Sequence, residues 1–152
     1  MKQRLINRMK LSFPSCSENE RFSRTAVSGF ISHLDPLIDE ISDIKTAVSE
    51  GVTNAIVHAY PDRIGEVFME VKIFEDRTVR IKIRDKGCGI ENIEKAMEPM
   101  FTTSHDEERA GFGFAVMQSF SDSVKVRSTV GRGTTVTLEK TILRAAYSHG
   151  QK

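Results

Sequence analysis

The chain has almost no net charge: 22 Lys and Arg against 21 Asp and Glu leave a formal +1 over 152 residues. Nucleic-acid binders usually show a basic excess or stripe, and anionic membranes attract clustered cations, so neither partner is expected. No apolar stretch approaches the roughly 20 residues needed to cross a bilayer; Ala55-Ile56-Val57 is typical of the longest. The basic start, Met1-Lys2-Gln3-Arg4, is not followed by an apolar signal-peptide core. Only Cys16 and Cys88 are present, without CxxC spacing, which excludes a disulfide framework and a cysteine zinc site. There is no internal repeat and no low-complexity linker. With 39% hydrophobic and 28% charged residues, the composition is that of an ordinary globular protein. The expectation is one cytoplasmic domain, with a core over residues 9–140 and a tail over 141–152.

What is present divides by period. Residues 9–13 alternate as a half-buried strand that Pro14 stops, and Ser17 stands three residues before Glu20, the spacing of a capping box. Phe22, Ala26, Val27, Phe30, Ile31 and Leu34 follow at helical intervals until Asp35-Pro36. A second helix is expected from about Leu37 to Ala59. The period then falls to two: Val67, Met69, Val71 and Ile73, a turn at Glu75-Asp76-Arg77, then Val79, Ile81 and Ile83. A short helix over residues 114–120 precedes two more strands, 124–128 and 134–139, joined at Gly131-Arg132-Gly133. Each strand has one apolar face that helices must cover. The fold class is therefore an α/β two-layer sandwich: a mixed, mostly antiparallel sheet with helices on one face.

Three constellations carry chemistry. Glu50, Asn54 and His58 lie four apart, one polar ridge opposite the apolar stripe of the second helix. A solvated face explains such a ridge, yet Asn is a poor helix-interior residue. A Glu and an Asn side by side can supply a general base and a metal-ligating carbonyl. Asp85-Lys86-Gly87-Cys88-Gly89 follows a strand directly. It reads as a plain turn, or as a loop whose glycines admit a flat ligand while Asp85 accepts from an exocyclic amine such as that of adenine. Arg109-Ala110-Gly111-Phe112-Gly113 leads into a helix, where free N–H groups suit phosphate. It is neither a Rossmann fingerprint nor a Walker loop. The long polar stretch before it, residues 98–110, has the character of a lid.

In this order the elements resemble the nucleotide-binding fold of gyrase, histidine kinases and MutL, called the Bergerat type. The closer resemblance is to the anti-sigma factor kinases of spore-forming bacteria, and among these to the anti-sigma F factors. It is carried by the run from Ile44 through Ser49-Glu50-Gly51-Val52-Thr53-Asn54-Ala55, by His58-Ala59-Tyr60, and by Arg84-Asp85-Lys86-Gly87-Cys88-Gly89-Ile90. Pro99-Met100-Phe101-Thr102-Thr103 and Glu108-Arg109-Ala110-Gly111-Phe112-Gly113-Phe114 complete it. The anti-sigma B stress kinases are the alternative relatives; they usually lack the second glycine after Asp-x-Gly, and they lack the Phe-Thr-Thr lid.

The resemblance implies ATP or ADP and Mg²⁺ as cofactors. Asn54 would hold the metal and Glu50 would be the catalytic base. Asp85, joined by Thr134 through a water, would bind adenine, with Gly87 and Gly89 against the ring. Thr102, Thr103 and Arg109 would belong to the lid, and Gly111 and Gly113 would cradle phosphates. Arg24 would contact partner proteins. Those partners would be sigma F and an anti-anti-sigma protein phosphorylated on serine, and the chain would be a homodimer. An ATP-dependent binding switch without phosphoryl transfer is the other activity such a site allows. Cys88 occupies the variable position of DxGxG and reads as a filler side chain.

Overall fold

Alternating apolar residues dictate the centre of the fold. Val67, Met69, Val71 and Ile73 on one strand, and Val79, Ile81 and Ile83 on the next, are all buried on the same side. The computed structural model describes residues 3–98 and 112–143. Within them the chain runs β1 (Leu5–Pro14), α1 (Glu18–Phe30), a 3₁₀ turn (Ser32–Leu34) and α2 (Ile38–Thr53), which widens into a π turn (Asn54–His58). β2 (Glu66–Phe74), β3 (Thr78–Asp85), α3 (Ile93–Ala96), α4 (Phe114–Ser119), β4 (Ser123–Thr129) and β5 (Gly133–Thr141) follow.

The five strands form one sheet in the order β1-β2-β3-β5-β4. All four pairings are antiparallel, so the sheet needs none of the parallel pairing that a mixed sheet allows. Register sets apolar side chains in rows across it. Met9, Val71, Ile81, Leu138 and Val124 form one rung, and Leu11, Met69, Ile83, Val136 and Val126 another. Val27, Ile31, Ile44, Val48 and Val52 of the helical layer close over these rows, with Phe114 and Met117 of α4. The opposite face is open: Glu70 stands there within 4.0 Å of Lys10, Lys72 and Lys82, in the partly exposed pairings typical of such a surface. No helix among the described residues is long and apolar enough to cross a membrane.

Two local expectations are revised. β1 starts at Leu5, because as an edge strand it is held by backbone pairing to Phe74 of β2 while its outer side chains stay exposed. The Ser17–Glu20 capping box does not form. Ser17 has helical angles (φ −60, ψ −33) and makes no side-chain cap bond, whereas a capping residue must sit outside the helical region. The carboxylate half of such a box appears one helix later, where Glu40 Oε1 accepts the Leu37 N–H at 2.9 Å.

Glu40 is also a staple. Its other oxygen accepts the Leu143 N–H at 2.7 Å, tying the end of β5 to the start of α2, and the residue is only 6% exposed. Glu40→Ala leaves two partly buried donors unpaired, at about 1–3 kcal/mol each, so the expected loss is about 2–6 kcal/mol. Urea unfolding should show it as a lower midpoint with an unchanged slope.

Candidate functional site

The polar ridge of α2 ends in an irregularity that no sequence pattern announces. At Asn54 the hydrogen bonding lengthens by one residue, and the Ala59 N–H reaches the Asn54 carbonyl at 3.0 Å. π turns of this kind recur at functional positions. Here the turn delivers the Ala59 carbonyl to the Asp85-to-Gly89 loop, where the Cys88 N–H donates to it at 2.9 Å. Gly87 is required at that crossing, because a Cβ there would run into the Ala59 carbonyl. Gly89 adopts φ +79 and passes equally close to the Thr129 backbone. Cys88 is exposed, its Sγ 3.2 Å from the His58 carbonyl.

Asp85 ends β3 almost fully buried. Its Oδ1 accepts two backbone N–H groups, from Gly87 at 2.9 Å and Thr134 at 3.1 Å, which leaves Oδ2 as an acceptor for a ligand. Burial pushes the carboxyl up from the ordinary aspartate range, and the two hydrogen bonds only partly oppose it. The Thr134 hydroxyl pairs with Ser128 Oγ at 2.8 Å, and that same Oγ takes the Ile90 N–H at 2.7 Å. Sequence reasoning missed Ser128; its place on a strand gave no signal beyond the alternation.

Asn54, His58, Asp85, Gly89 and Thr134 line one cleft, which Phe112 and Phe114 share. Phe112 stacks on Phe114 (centroids 5.6 Å, planes 12° apart) and lies 4.6 Å from the His58 ring. Its carbonyl accepts Asn54 Nδ2 at 2.6 Å. That bond orients the amide and leaves Oδ1, the atom a hard cation requires, as the acceptor. With Phe112 in place, the free space in the cleft is about 20 Å³, room for little more than one water. Gly51 also lines the cleft. A Cβ there would press on Ile83 Cδ1, so this glycine lets α2 approach the sheet closely beneath the site.

Glu50 stands one turn before Asn54, half-buried, between two features. On one side is Gly113, at φ +67, so close that a Cβ would collide with the Glu50 carboxylate. On the other is a groove of about 410 Å³ lined by Arg24, Ile38, Ile41, Lys45, Ser49 and Glu50. Burial, and secondarily the like charge of Glu20, raise the Glu50 carboxyl above its ordinary value. Arg24 and Glu50 therefore line the groove, and the cleft that holds Asn54 and Asp85 has a separate lining. Thr102, Thr103, Arg109 and Gly111 lie outside the described residues.

A sheet covered on one face thus carries an Asn on a helix, a strand-end Asp above a glycine loop and a second glycine at a helix start. Residues 14–140 match the family described as the histidine kinase-like ATPase domain, and the chain belongs to that class. Its fold is similar to the RsbU and RsbW domains of a Mycobacterium tuberculosis protein: TM-score 0.69, 20% identity, 93% of this chain and 34% of that one. It is also similar to the histidine kinase domain of a blue-light-activated kinase from Erythrobacter litoralis: TM-score 0.56, 20% identity, 78% of this chain and 59% of that one. Sequence relatives narrow the class. The anti-sigma F factor of Caldanaerobacter subterraneus subsp. tengcongensis is 53% identical over 138 residues, covering 91% of this chain and 96% of that protein. The anti-sigma F factor of Clostridium acetobutylicum is 52% identical over 136 residues, covering 90% and 94%. The chain belongs to the anti-sigma F factor family.

Proposed function

We propose that this chain is a protein-serine kinase that doubles as a sigma-factor antagonist. It would transfer phosphate from ATP to a serine of an anti-anti-sigma protein, and would hold sigma F away from RNA polymerase as a cytoplasmic homodimer. The observation that carries the reading is the groove between Arg24 and Glu50. A partner held at Arg24 and Lys45 brings its hydroxyl to Glu50, whose carboxylate also borders the phosphate-side glycine, Gly113.

The residues fit the nucleotide and the metal. Asp85 Oδ2 is free for an amine once Oδ1 is held by Gly87 and Thr134, and Asn54 Oδ1 is free for Mg²⁺ once Nδ2 is bonded to Phe112. When bound, Mg²⁺-ATP supplies the phosphoryl group and neutralises its charge. The protein's share is positioning. Asp85 selects the base, Gly111 and Gly113 admit phosphates, Thr102, Thr103 and Arg109 belong to the lid, and Glu50 takes the serine proton.

Labelled ATP incubated with the chain and an anti-anti-sigma protein tests the reading. Label on a partner serine is the expected result. A nucleotide-dependent complex that never carries label overturns the kinase and leaves an ATP-dependent switch.

A further inference from the structure

The Asp85 end of the cleft contains a pair of hydroxyls whose hydrogens can be placed by counting. Ser128, on β4, stands opposite Thr134 of β5 in the sheet. Its Oγ makes three contacts: with the Ile90 N–H at 2.7 Å, the Gly133 carbonyl at 3.1 Å and Thr134 Oγ1 at 2.8 Å. A serine hydroxyl has one hydrogen to donate and two lone pairs with which to accept. An amide N–H only donates and a carbonyl only accepts. All three contacts are therefore hydrogen bonds in one arrangement alone. Ser128 accepts from Ile90, donates to Gly133 and accepts the hydrogen of Thr134. The Thr134 hydroxyl is left with a lone pair to offer and no hydrogen. Thr134 is 8% exposed and lines the cleft, and its N–H lies 3.1 Å from Asp85 Oδ1, so the two residues share one corner of it.

We infer that Ser128 is a positioning residue that sets base specificity: by holding the Thr134 hydrogen it makes that corner accept hydrogen bonds and donate none, which favours a purine with an amine at position 6 over one with a carbonyl. This role rests on the cleft being the nucleotide site proposed above. Ser128 touches no ligand and acts through Thr134. Asp85 does not fix the polarity by itself, because a threonine beside it turns its hydroxyl about one bond and serves a donor or an acceptor equally. With Ser128 in place that choice is lost. A water bridging Thr134 and Asp85 carries the same polarity, since a water that donates to both turns only lone pairs to the ligand. Such a corner works by rejection. A carbonyl placed there faces buried acceptors, and sites built on hydrogen-bond polarity discriminate far more strongly than apolar ones.

The test is calorimetric titration of ADP, and of IDP, in which a carbonyl replaces the amine, into four full-length chains: parent, Ser128→Ala, Thr134→Val and the double variant. The ratio of the two dissociation constants is read in each; the N1 hydrogen that inosine adds is common to all and cancels between chains. Ser128→Ala frees the Thr134 hydrogen to meet a carbonyl, so the preference for ADP is expected to fall about two- to tenfold, the worth of one neutral hydrogen bond. A purely structural role would weaken both nucleotides in proportion and leave the ratio unmoved. In the Thr134→Val background Ser128→Ala should leave the ratio where it stands, and a change that persists there overturns the route through Thr134. Ser128→Cys nearly keeps the volume and weakens both roles of the hydroxyl, so it moves the ratio the same way and serves if the alanine variant, having lost the Ile90 bond, does not fold. An unmoved ratio in the folded Ser128 variants, with a parent that prefers ADP, overturns the role of Ser128 alone. A parent that holds IDP as tightly as ADP, or binds neither, overturns the base site and the role of Ser128 with it.

Discussion

Asp85→Asn will bind adenine nucleotides at least about 100-fold more weakly, yet will melt no lower than the parent chain. The two halves follow from different oxygens of one carboxyl. Oδ1 accepts the Gly87 and Thr134 N–H groups, and the carbonyl of an asparagine can accept both. The loop therefore keeps its anchor. Oδ2 becomes an NH₂ group, so an acceptor for an amine is replaced by a donor facing a donor. A hydrogen bond to a charged group contributes about 1.5–3 kcal/mol, and a mismatched buried donor adds about 1–3 more, which together amount to about two to four decades of affinity. Stability moves the other way. The Asp85 carboxyl is raised by burial, so its ionised form weakens the fold once pH rises through the window between its unfolded and folded values. Asparagine removes that penalty at neutral pH. Calorimetric titration with ADP and a thermal melt on the same samples check both halves. The parent should also lose nucleotide affinity as pH falls through the Asp85 titration, above the usual aspartate range, and the variant should not show that step. Parent-like affinity in the variant would sink the adenine assignment.

The sheet and the ridge were legible because their causes are local. Strict alternation at Val67 to Ile73 and Val79 to Ile83 can bury only one face, and the structure buries that face. Glu50 and Asn54 share a ridge by spacing alone. What was not legible depends on crossings between distant segments. Gly87 read as a residue lying against the ring; in the fold a side chain there would strike the Ala59 carbonyl, 28 residues earlier in sequence. The π turn at Asn54 left no trace in the apolar period, because Ala55, Ile56 and Ala59 fit an ordinary helix nearly as well. The capping box at Ser17 failed for the converse reason. The right residues stood at the right spacing, but the chain entered the helix one residue sooner, and Glu20 found Arg24. A motif of two residues states what is possible; the backbone angle at its first residue decides whether it forms.

Glu50→Gln should retain nucleotide binding and lose phosphoryl transfer by about 10²–10⁴-fold, the usual worth of a positioned general base. The glutamine keeps the volume between the groove and Gly113 and removes only the basicity. Its fold should not suffer. The Glu50 carboxyl is raised by burial and by Glu20, so ionised Glu50 opposes folding above its titration and the neutral amide does not. A loss of that size could also come from a displaced carboxylate, and Gly113 separates the two causes. Gly113→Ala drives a methyl group into the Glu50 carboxylate and forces an alanine into φ +67, leaving the chemistry of Glu50 intact. If position and basicity both matter, Gly113→Ala loses transfer and thermal stability together, whereas Glu50→Gln loses transfer alone. Single-turnover assays with pre-bound ATP and partner read the chemical step directly. Unchanged transfer in Glu50→Gln would remove it as the base and leave serine activation to the lid or the partner. Loss in both variants, with nucleotide affinity kept in Glu50→Gln, places the acceptor hydroxyl at the end of the groove where Glu50 meets Gly113.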